Sequence, residues 1–186
     1  MKLLACPKCH QQLHLENKTL KCENNHCYDI SKRGYINLLL NPDKATNNPG
    51  DSKESLVARK AYLNKGYYDP ILNQVITCID EFKHQDDLSI LDLGCGEGYY
   101  TQGLKKHFEN SDIYGLDISK IAIDMATRYR KDVTWLVGNS KNIPILDHSL
   151  DFICALFTVV NQDELKRALK EDGYIVHVTA NNQHLI

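Results

Sequence analysis

The chain has 186 residues, 42% of them apolar and 25% charged, enough for one sizeable globular domain or a small module plus a medium one. No apolar run approaches the roughly 20 residues of a membrane span, and residues 1–7 are too short in apolar residues for a signal peptide, so a cytoplasmic location and no membrane partner are expected. The net charge of −2 hides an asymmetry: residues 1–66 carry 11 Lys/Arg against 6 Asp/Glu, residues 67–186 carry 11 against 18, and a basic front suits an anionic partner.

Four of the seven cysteines (Cys6, Cys9, Cys22 and Cys27) fall within the first 27 residues. An odd total fits a disulfide framework poorly, and clustering of this kind points to a metal. Cys6-Pro7-Lys8-Cys9 and Cys22-Glu23-Asn24-Asn25-His26 read as C-x2-C, 12 residues, then C-x3-H. The first pair bends the chain so that two thiolates reach one ion, and a second pair closes a tetrahedron. Zn²⁺ accepts such a set as a structural site with no open position. Cys27 and His26, being adjacent, compete for the fourth place. A module this small builds little core, so the metal supplies most of its folding energy. Short apolar runs at 1–4, 28–30 and 35–40 suit small strands.

Residues 1–40 therefore read as a zinc-binding module, and 41–52, almost pure turn composition, as a linker. The remainder, 53–186, reads as one larger domain. It opens with a helix capped at Ser52 and closed by Gly66, followed by a second helix carrying Ile71, Leu72, Val75, Ile76 and Ile79. A βα rhythm then begins: strand Ser89–Leu93, helix 99–108, strand 112–116, helix 120–130, strands 133–137 and 150–157, helix 162–169, strand 174–178. Short apolar strands alternating with helices predict a doubly wound α/β domain with a mostly parallel sheet of five strands.

The strand Ser89–Leu93 runs into Gly94-Cys95-Gly96-Glu97-Gly98 and then a helix. Glycines belong where the backbone turns sharply and a ligand approaches the main chain. Dinucleotide-binding folds use a similar turn, but the spacing here is G-x-G-x-G, one residue shorter than theirs. Asp92 precedes the turn within the strand. Asp117, 19 residues after Gly98, ends the next strand, where a carboxylate accepts hydrogen bonds from ribose hydroxyls. Gly138-Asn139-Ser140 follows the third strand, in position to meet an adenine ring. In this order and spacing the elements favour S-adenosylmethionine over a nicotinamide cofactor.

Along essentially its full length the chain resembles the 23S rRNA guanine-N1 methyltransferases (RlmA-like), with a Rossmann-like class I methyltransferase fold. The likeness rests on C-P-x-C-H at 6–10, C-x3-H at 22–26, G-Y-x-N-L-L at 34–39 and P-G-D-S at 49–52. It continues in A-R-x-A-Y-L-x-x-G-x-Y at 58–68, L-D-x-G-C-G-E-G-Y-Y-T at 91–101, G-L-D-x-S-K at 115–120 and H-L at 184–185. The resemblance implies zinc ligands Cys6, Cys9, Cys22 and His26, and so ranks His26 over Cys27. It implies a cofactor pocket built on Gly96 and Glu97, with Tyr68 and His184 closing over it. It further implies a homodimer that binds an rRNA stem-loop and methylates guanine N1. Basic residues Lys32, Arg33, Lys53, Arg59 and Lys60 are candidates for the phosphates of such an RNA.

Two departures stand out. The loop after strand 150–157 reads Ala155-Leu156-Phe157-Thr158-Val159-Val160, where better-known members carry an arginine and a proline. The chain stops at Ile186 with five strands read instead of seven, so it is expected to be a truncated version. No motif fixes the group that takes the guanine N1 proton. Two other functions fit the same residues: a methyltransferase acting on a small molecule, and an inactive zinc-containing RNA-binding or dimerisation fragment.

Overall fold

A computed structural model describes residues 1–40 and 51–180. Most of the expected linker, and His184 with it, lies outside these residues. No helix among them is long and apolar enough to cross a membrane.

The N-terminal part is a three-stranded antiparallel sheet of β1 (His14–Glu16), β2 (Thr19–Lys21) and β3 (Cys27–Asp29), in the order β1-β2-β3. Strands β1 and β2, too short to carry a periodicity, are additions to the elements read from sequence. The run at 1–4 forms no strand; Leu4 and Ala5 make only isolated bridges, to Ile145 and Gln12. Within 35–40 only Ile36–Asn37 is extended. This two-residue strand, β4, leaves the ribbon and joins the main sheet.

That main sheet runs β4-β7-β6-β5-β8-β9, built from β5 (Ser89–Leu93), β6 (Asp112–Asp117), β7 (Thr134–Val137), β8 (Leu150–Leu156) and β9 (Leu169–Val178). All of its pairings are parallel. It has six strands, one more than expected, because β4 pairs with β7 through Ile36↔Leu136 and Asn37↔Val137. Strand β9 starts five residues earlier than expected, where Leu169 pairs back to Leu150 across a register shift.

Among the described residues there are five helices: α1 (Lys53–Leu63), α2 (Asp69–Phe82), α3 (Tyr99–His107), α4 (Lys120–Ala126) and α5 (Gln162–Ala168). Ser52 caps α1 by accepting from the Ser55 amide. Helix α4 ends four residues short of expectation, at the Thr127 cap, whose amide bonds back to Ile123.

A parallel sheet must be covered on both faces, and here the two covers differ. Alternate residues of β5, β6 and β7 (Ile90, Ile113, Trp135) face helices α2, α3 and α4 through Val75, Ile79, Leu104 and Ile123. The opposite set (Leu91, Leu93, Tyr114, Leu116, Leu136) packs with α5 and with Leu4, Leu13, Leu20, Ile36 and Leu38 of the N-terminal part. The ribbon thus takes the place of helices on one face. Backbone bonds fasten it there, from Ala5 N to Pro144 O at 3.0 Å and from Leu146 N to Leu3 O at 2.9 Å.

Candidate metal centre and cofactor site

Two tight turns build the metal centre. His10 N bonds to Cys6 O at 2.8 Å and Asn25 N to Cys22 O at 2.9 Å, with His10 and Asn25 both at φ 59. These turns bring Cys6, Cys9, Cys22 and His26 together, with their ligand atoms all within 4.8 Å of one another. A zinc tetrahedron with Zn–S of about 2.3 Å and Zn–N of about 2.0 Å has S···S edges near 3.8 Å and S···N edges near 3.5 Å. The cluster matches these edges, with Cys9 Sγ–Cys22 Sγ at 3.7 Å, Cys6 Sγ–His26 Nδ1 at 3.4 Å and Cys22 Sγ–His26 Nδ1 at 3.5 Å. The donor set therefore fits zinc. Cys27 is exposed and its thiol turns to Asn25 O, away from the cluster. Tyr28 brings its hydroxyl to 3.3 Å from Cys6 Sγ. Against a metal-bound thiolate the phenol is the donor, a contact that holds the ligand from behind.

The second site lies at the carboxyl ends of the main sheet, where β6 and β8 flank β5 on opposite sides. Such a switch in strand order leaves a crevice. The glycine turn sits there with Gly94, Gly96 and Gly98 at φ 74, 56 and 86. At Gly98, the N-cap of α3, a Cβ would lie 2.6 Å from the Trp135 ring. At Gly96 it would meet only the Arg59 guanidinium, at 3.9 Å, so the main chain there is open to a ligand. Asp117 holds the turn: its Oδ2 accepts from Gly96 N at 2.9 Å and its Oδ1 from Ser119 N at 2.8 Å. Each carboxylate oxygen keeps a lone pair for a further donor. Burial raises the Asp117 carboxyl above its usual range, against the two amide bonds.

A cleft of about 130 Å³ adjoins Asp117, lined also by Gly94, Ile118, Gly138, Asn139 and Thr158. Tyr68 lines a second cavity of about 380 Å³, with Arg59, Tyr62, Tyr100 and Phe157. Its ring meets Phe157 edge-on, with centroids 6.1 Å apart. Glu97 lies between α1 and α3, 2% exposed. Asp92 points from β5 to α3, where Thr101 Oγ1 donates to it at 2.5 Å. Burial pushes its carboxyl up to about 7, with the Asp117 and Glu97 charges adding to the rise and Thr101 opposing it. An open glycine turn, a carboxylate with spare lone pairs and a flanking cleft fit an adenosyl ligand.

Three of the five basic residues offered for phosphates are engaged within the molecule. Arg33 pairs with Asp124 at 2.8 Å, Arg59 approaches Asp51 and Glu97, and Lys60 sits 3.2 Å from the Tyr129 ring centroid. Tyr100, Phe157 and Thr158 reach the cavities although none was named as a site residue from sequence. Phe157 holds φ 55 directly after β8, a conformation that sequence periodicity does not reveal.

Residues 90–173 match the family described as Methyltransferase domain, and residues 4–45 that described as RlmA, N-terminal, a zinc ribbon. The 23S rRNA (guanine(748)-N(1))-methyltransferase of Streptomyces fradiae is 29% identical over 187 residues, covering 100% of this chain. YxjB of Bacillus subtilis (strain 168), assigned to the 23S rRNA guanine-N1 methyltransferases, is 30% identical and covers 99%. The chain spans 66% of the length of each. Among solved structures, a TehB-like S-adenosylmethionine-dependent methyltransferase from Corynebacterium glutamicum is 26% identical with a TM-score of 0.52, covering 67% of this chain and 70% of that one. The chain is thus a relative of the RlmA-like 23S rRNA guanine-N1 methyltransferases, with their N-terminal zinc ribbon set on a class I methyltransferase fold.

Proposed function

We propose that the chain binds S-adenosylmethionine at the carboxyl ends of β5, β6 and β7 and methylates guanine N1 in a 23S rRNA stem-loop. The observation that carries this reading is the glycine turn held by Asp117 beside an open cleft, in a chain whose other sheet face is covered by an RlmA-type ribbon. When bound, the cofactor supplies an electrophilic methyl group on a sulfonium. The chain's own residues then do the positioning. Gly94 and Gly98 let the turn close against Thr158 and Trp135, Gly96 opens the backbone to the ligand, Asp117 accepts from the ribose hydroxyls, and Asn139 lines the adenine end. Tyr68, with His184 by resemblance, closes the far side, and Asp92 steadies α3 behind the turn. Alignment of methyl and nucleophile in a pocket that excludes water is the main catalytic contribution of such a site. Zinc held by Cys6, Cys9, Cys22 and His26 fixes the ribbon.

The same reading divides the chain into a zinc module at 1–40, a linker at 41–52 and a methyltransferase domain at 53–186. A homodimer follows from the resemblance alone, and a cytoplasmic location is the expectation drawn from the sequence. Calorimetric titration of the zinc-loaded chain with S-adenosylmethionine tests the proposal. Micromolar binding that Gly96→Arg abolishes, followed by methyl transfer to a 23S transcript, supports it. Binding with transfer to a small molecule only would leave a methyltransferase of another substrate class. A folded chain that binds RNA but no cofactor would be a binding module.

A further inference from the structure

The cavity of about 380 Å³ is walled by rings: Tyr62, Tyr68, Tyr100 and Phe157 line it, together with Leu63 and Arg59. Tyr68 stands edge-on to both Tyr62 and Phe157, each pair with centroids 6.1 Å apart. Phe157 is 37% exposed and Tyr62 50%, so part of this ring surface is left to solvent. Phe157 keeps its left-handed φ of 55 directly after β8, with its amide bonded to Val178 O at 2.8 Å. A bulky side chain in that region is held there by its surroundings, and such strain collects at ligand sites.

The charged and buried polar groups at this cavity are few and of one kind. Tyr100 is 6% exposed, and its hydroxyl has no hydrogen-bond partner among the described residues. Burial pushes this phenol up to about 12, so it stays a donor at neutral pH. Arg59, 40% exposed, has Asp51 at 3.7 Å and Glu97 at 3.9 Å, both longer than hydrogen bonds, and so keeps N–H groups to donate elsewhere. No carboxylate and no side-chain amide lines the cavity among the described residues. A phosphate would use these donors and leave the rings idle; an aliphatic chain would do the reverse. Rings with donors at their edge suit a flat ligand that presents acceptors. Guanine shows two adjacent acceptors, O6 and N7, on one edge, whereas adenine puts an amino donor beside N7.

The cavity also borders the cleft beside Asp117. Thr158 lines that cleft and Phe157 lines the cavity, so adjacent residues of the loop after β8 face the two openings. Gly94 is pressed against the same loop, where a Cβ would fall 2.5 Å from Thr158 Oγ1. We infer that this cavity is the subsite for the acceptor base, a guanine turned out of the RNA stack. Phe157 carries the base on its face, Tyr68 closes on it edgewise, and Tyr100 and Arg59 donate to O6 and N7. This inference rests on the RNA-methylation reading above and names the residues that choose the base. It moves Arg59 from the RNA phosphates to a base edge.

Photocrosslinking on the full zinc-loaded chain tests it. The probe is a 23S stem-loop transcript with 6-thioguanosine at its loop guanines, bound in the presence of S-adenosylhomocysteine and irradiated. The crosslinked peptide, identified by mass spectrometry, should carry Tyr62, Tyr68, Tyr100 or Phe157. Phe157→Leu should cut the crosslink on the order of tenfold, the loss of one base–aromatic contact, while transcript affinity, carried mainly by phosphates, changes little. Tyr100→Phe removes only the hydroxyl. It should narrow severalfold the advantage, as competitor, of the guanine transcript over one with 2-aminopurine, which lacks O6, at the same positions. Calorimetry should find S-adenosylhomocysteine affinity at the wild-type level in both variants, and zinc content with circular dichroism establishes that each is folded. A crosslink confined to the ribbon, or one that Phe157→Leu leaves intact, overturns the base subsite and leaves the cofactor reading standing. So does a loss of S-adenosylhomocysteine affinity in Tyr100→Phe with the base preference unaltered. A wild-type chain that binds S-adenosylhomocysteine but no transcript overturns the RNA reading, and the subsite with it.

Discussion

The ribbon and the doubly wound sheet share one apolar cluster but are held together by different means. In the ribbon, three strands of three residues each surround four convergent donor atoms, and the buried side chains are few. In the sheet, strands such as β5 bury nearly every residue, on both faces. Metal ligation and area burial respond to different perturbations, so the two regions can be separated by experiment. What they share is Leu4, Leu13, Leu20, Ile36 and Leu38, which leave the ribbon to cover the sheet. The ribbon therefore serves as one layer of the enzyme-like core.

The largest effect is expected from removing the metal. Structural zinc contributes about 10–16 kcal/mol of apparent binding energy in isolated zinc-finger peptides. Cys22→Ser, or chelation, should abolish zinc binding and erase amide-exchange protection in β1–β3, while β5, β6 and β8 stay protected at lowered stability. Protection of β1–β3 that survives in the metal-free chain would mean that the shared core alone orders the ribbon.

Next in size is a weakness built into the sheet. Asp92 is fully buried and its carboxyl is pushed up to about 7. The folded state therefore holds this proton more tightly than the unfolded state does. Stability is fully present below the unfolded value near 4 and is lost as pH rises through about 7, in total on the order of 4 kcal/mol. Asp92→Asn keeps an oxygen to accept from Thr101 and removes the charge. Its melting temperature should exceed that of the wild type at pH 8 and converge with it near pH 4. A difference independent of pH would remove burial of this charge as the cause.

These regions were also legible in the sequence to different degrees. The strand at 89–93 and the turn after it are visible because a run of buried residues ends abruptly in three glycines at fixed spacing. The metal set is visible because cysteine pairs in a reduced chain have few other uses, although choosing His26 over Cys27 needed either the resemblance or the observed direction of the Cys27 thiol. Strand β4 was not visible as part of the main sheet, since Ile36 and Asn37 are too few to show a period and their partner lies a hundred residues away. Arg59 and Lys60 read as cations for RNA phosphates, and their approach to Asp51, Glu97 and the Tyr129 ring was not visible. Whether a charge is partnered is a property of distance in space, and spacing along the chain does not encode it.

The shared layer itself can be tested at Leu4, which is fully buried between ribbon and sheet. Leu4→Ala removes a side chain that both regions enclose, at a cost of about 2–5 kcal/mol. If the two regions form one cooperative unit, a single unfolding transition should move to lower denaturant with its slope unchanged. Loss of protection confined to β1–β3 would show instead that the ribbon opens separately, with the sheet indifferent to it.

The finest test of the comparison concerns one hydrogen bond. Asn142 Nδ2 donates to Pro7 O at 2.9 Å, inside the Cys6–Cys9 turn, and Asn142 N bonds back to Asn139 O at 3.1 Å. Asn139 lines the cleft beside Asp117. The bond thus joins the metal turn to the proposed adenine end of the cofactor site. Asn142→Ala should cost about 1 kcal/mol of stability, the usual net worth of a single hydrogen bond. More telling is its effect on coupling. If the metal turn steadies the cleft, stripping zinc should weaken S-adenosylhomocysteine binding to the wild type. Because binding free energies are linked reciprocally, saturating ligand should in turn slow zinc loss. In Asn142→Ala both effects should shrink together while zinc content stays at the wild-type level. Coupling of undiminished size in the variant would assign the communication to the shared apolar layer and leave this hydrogen bond a local fastening.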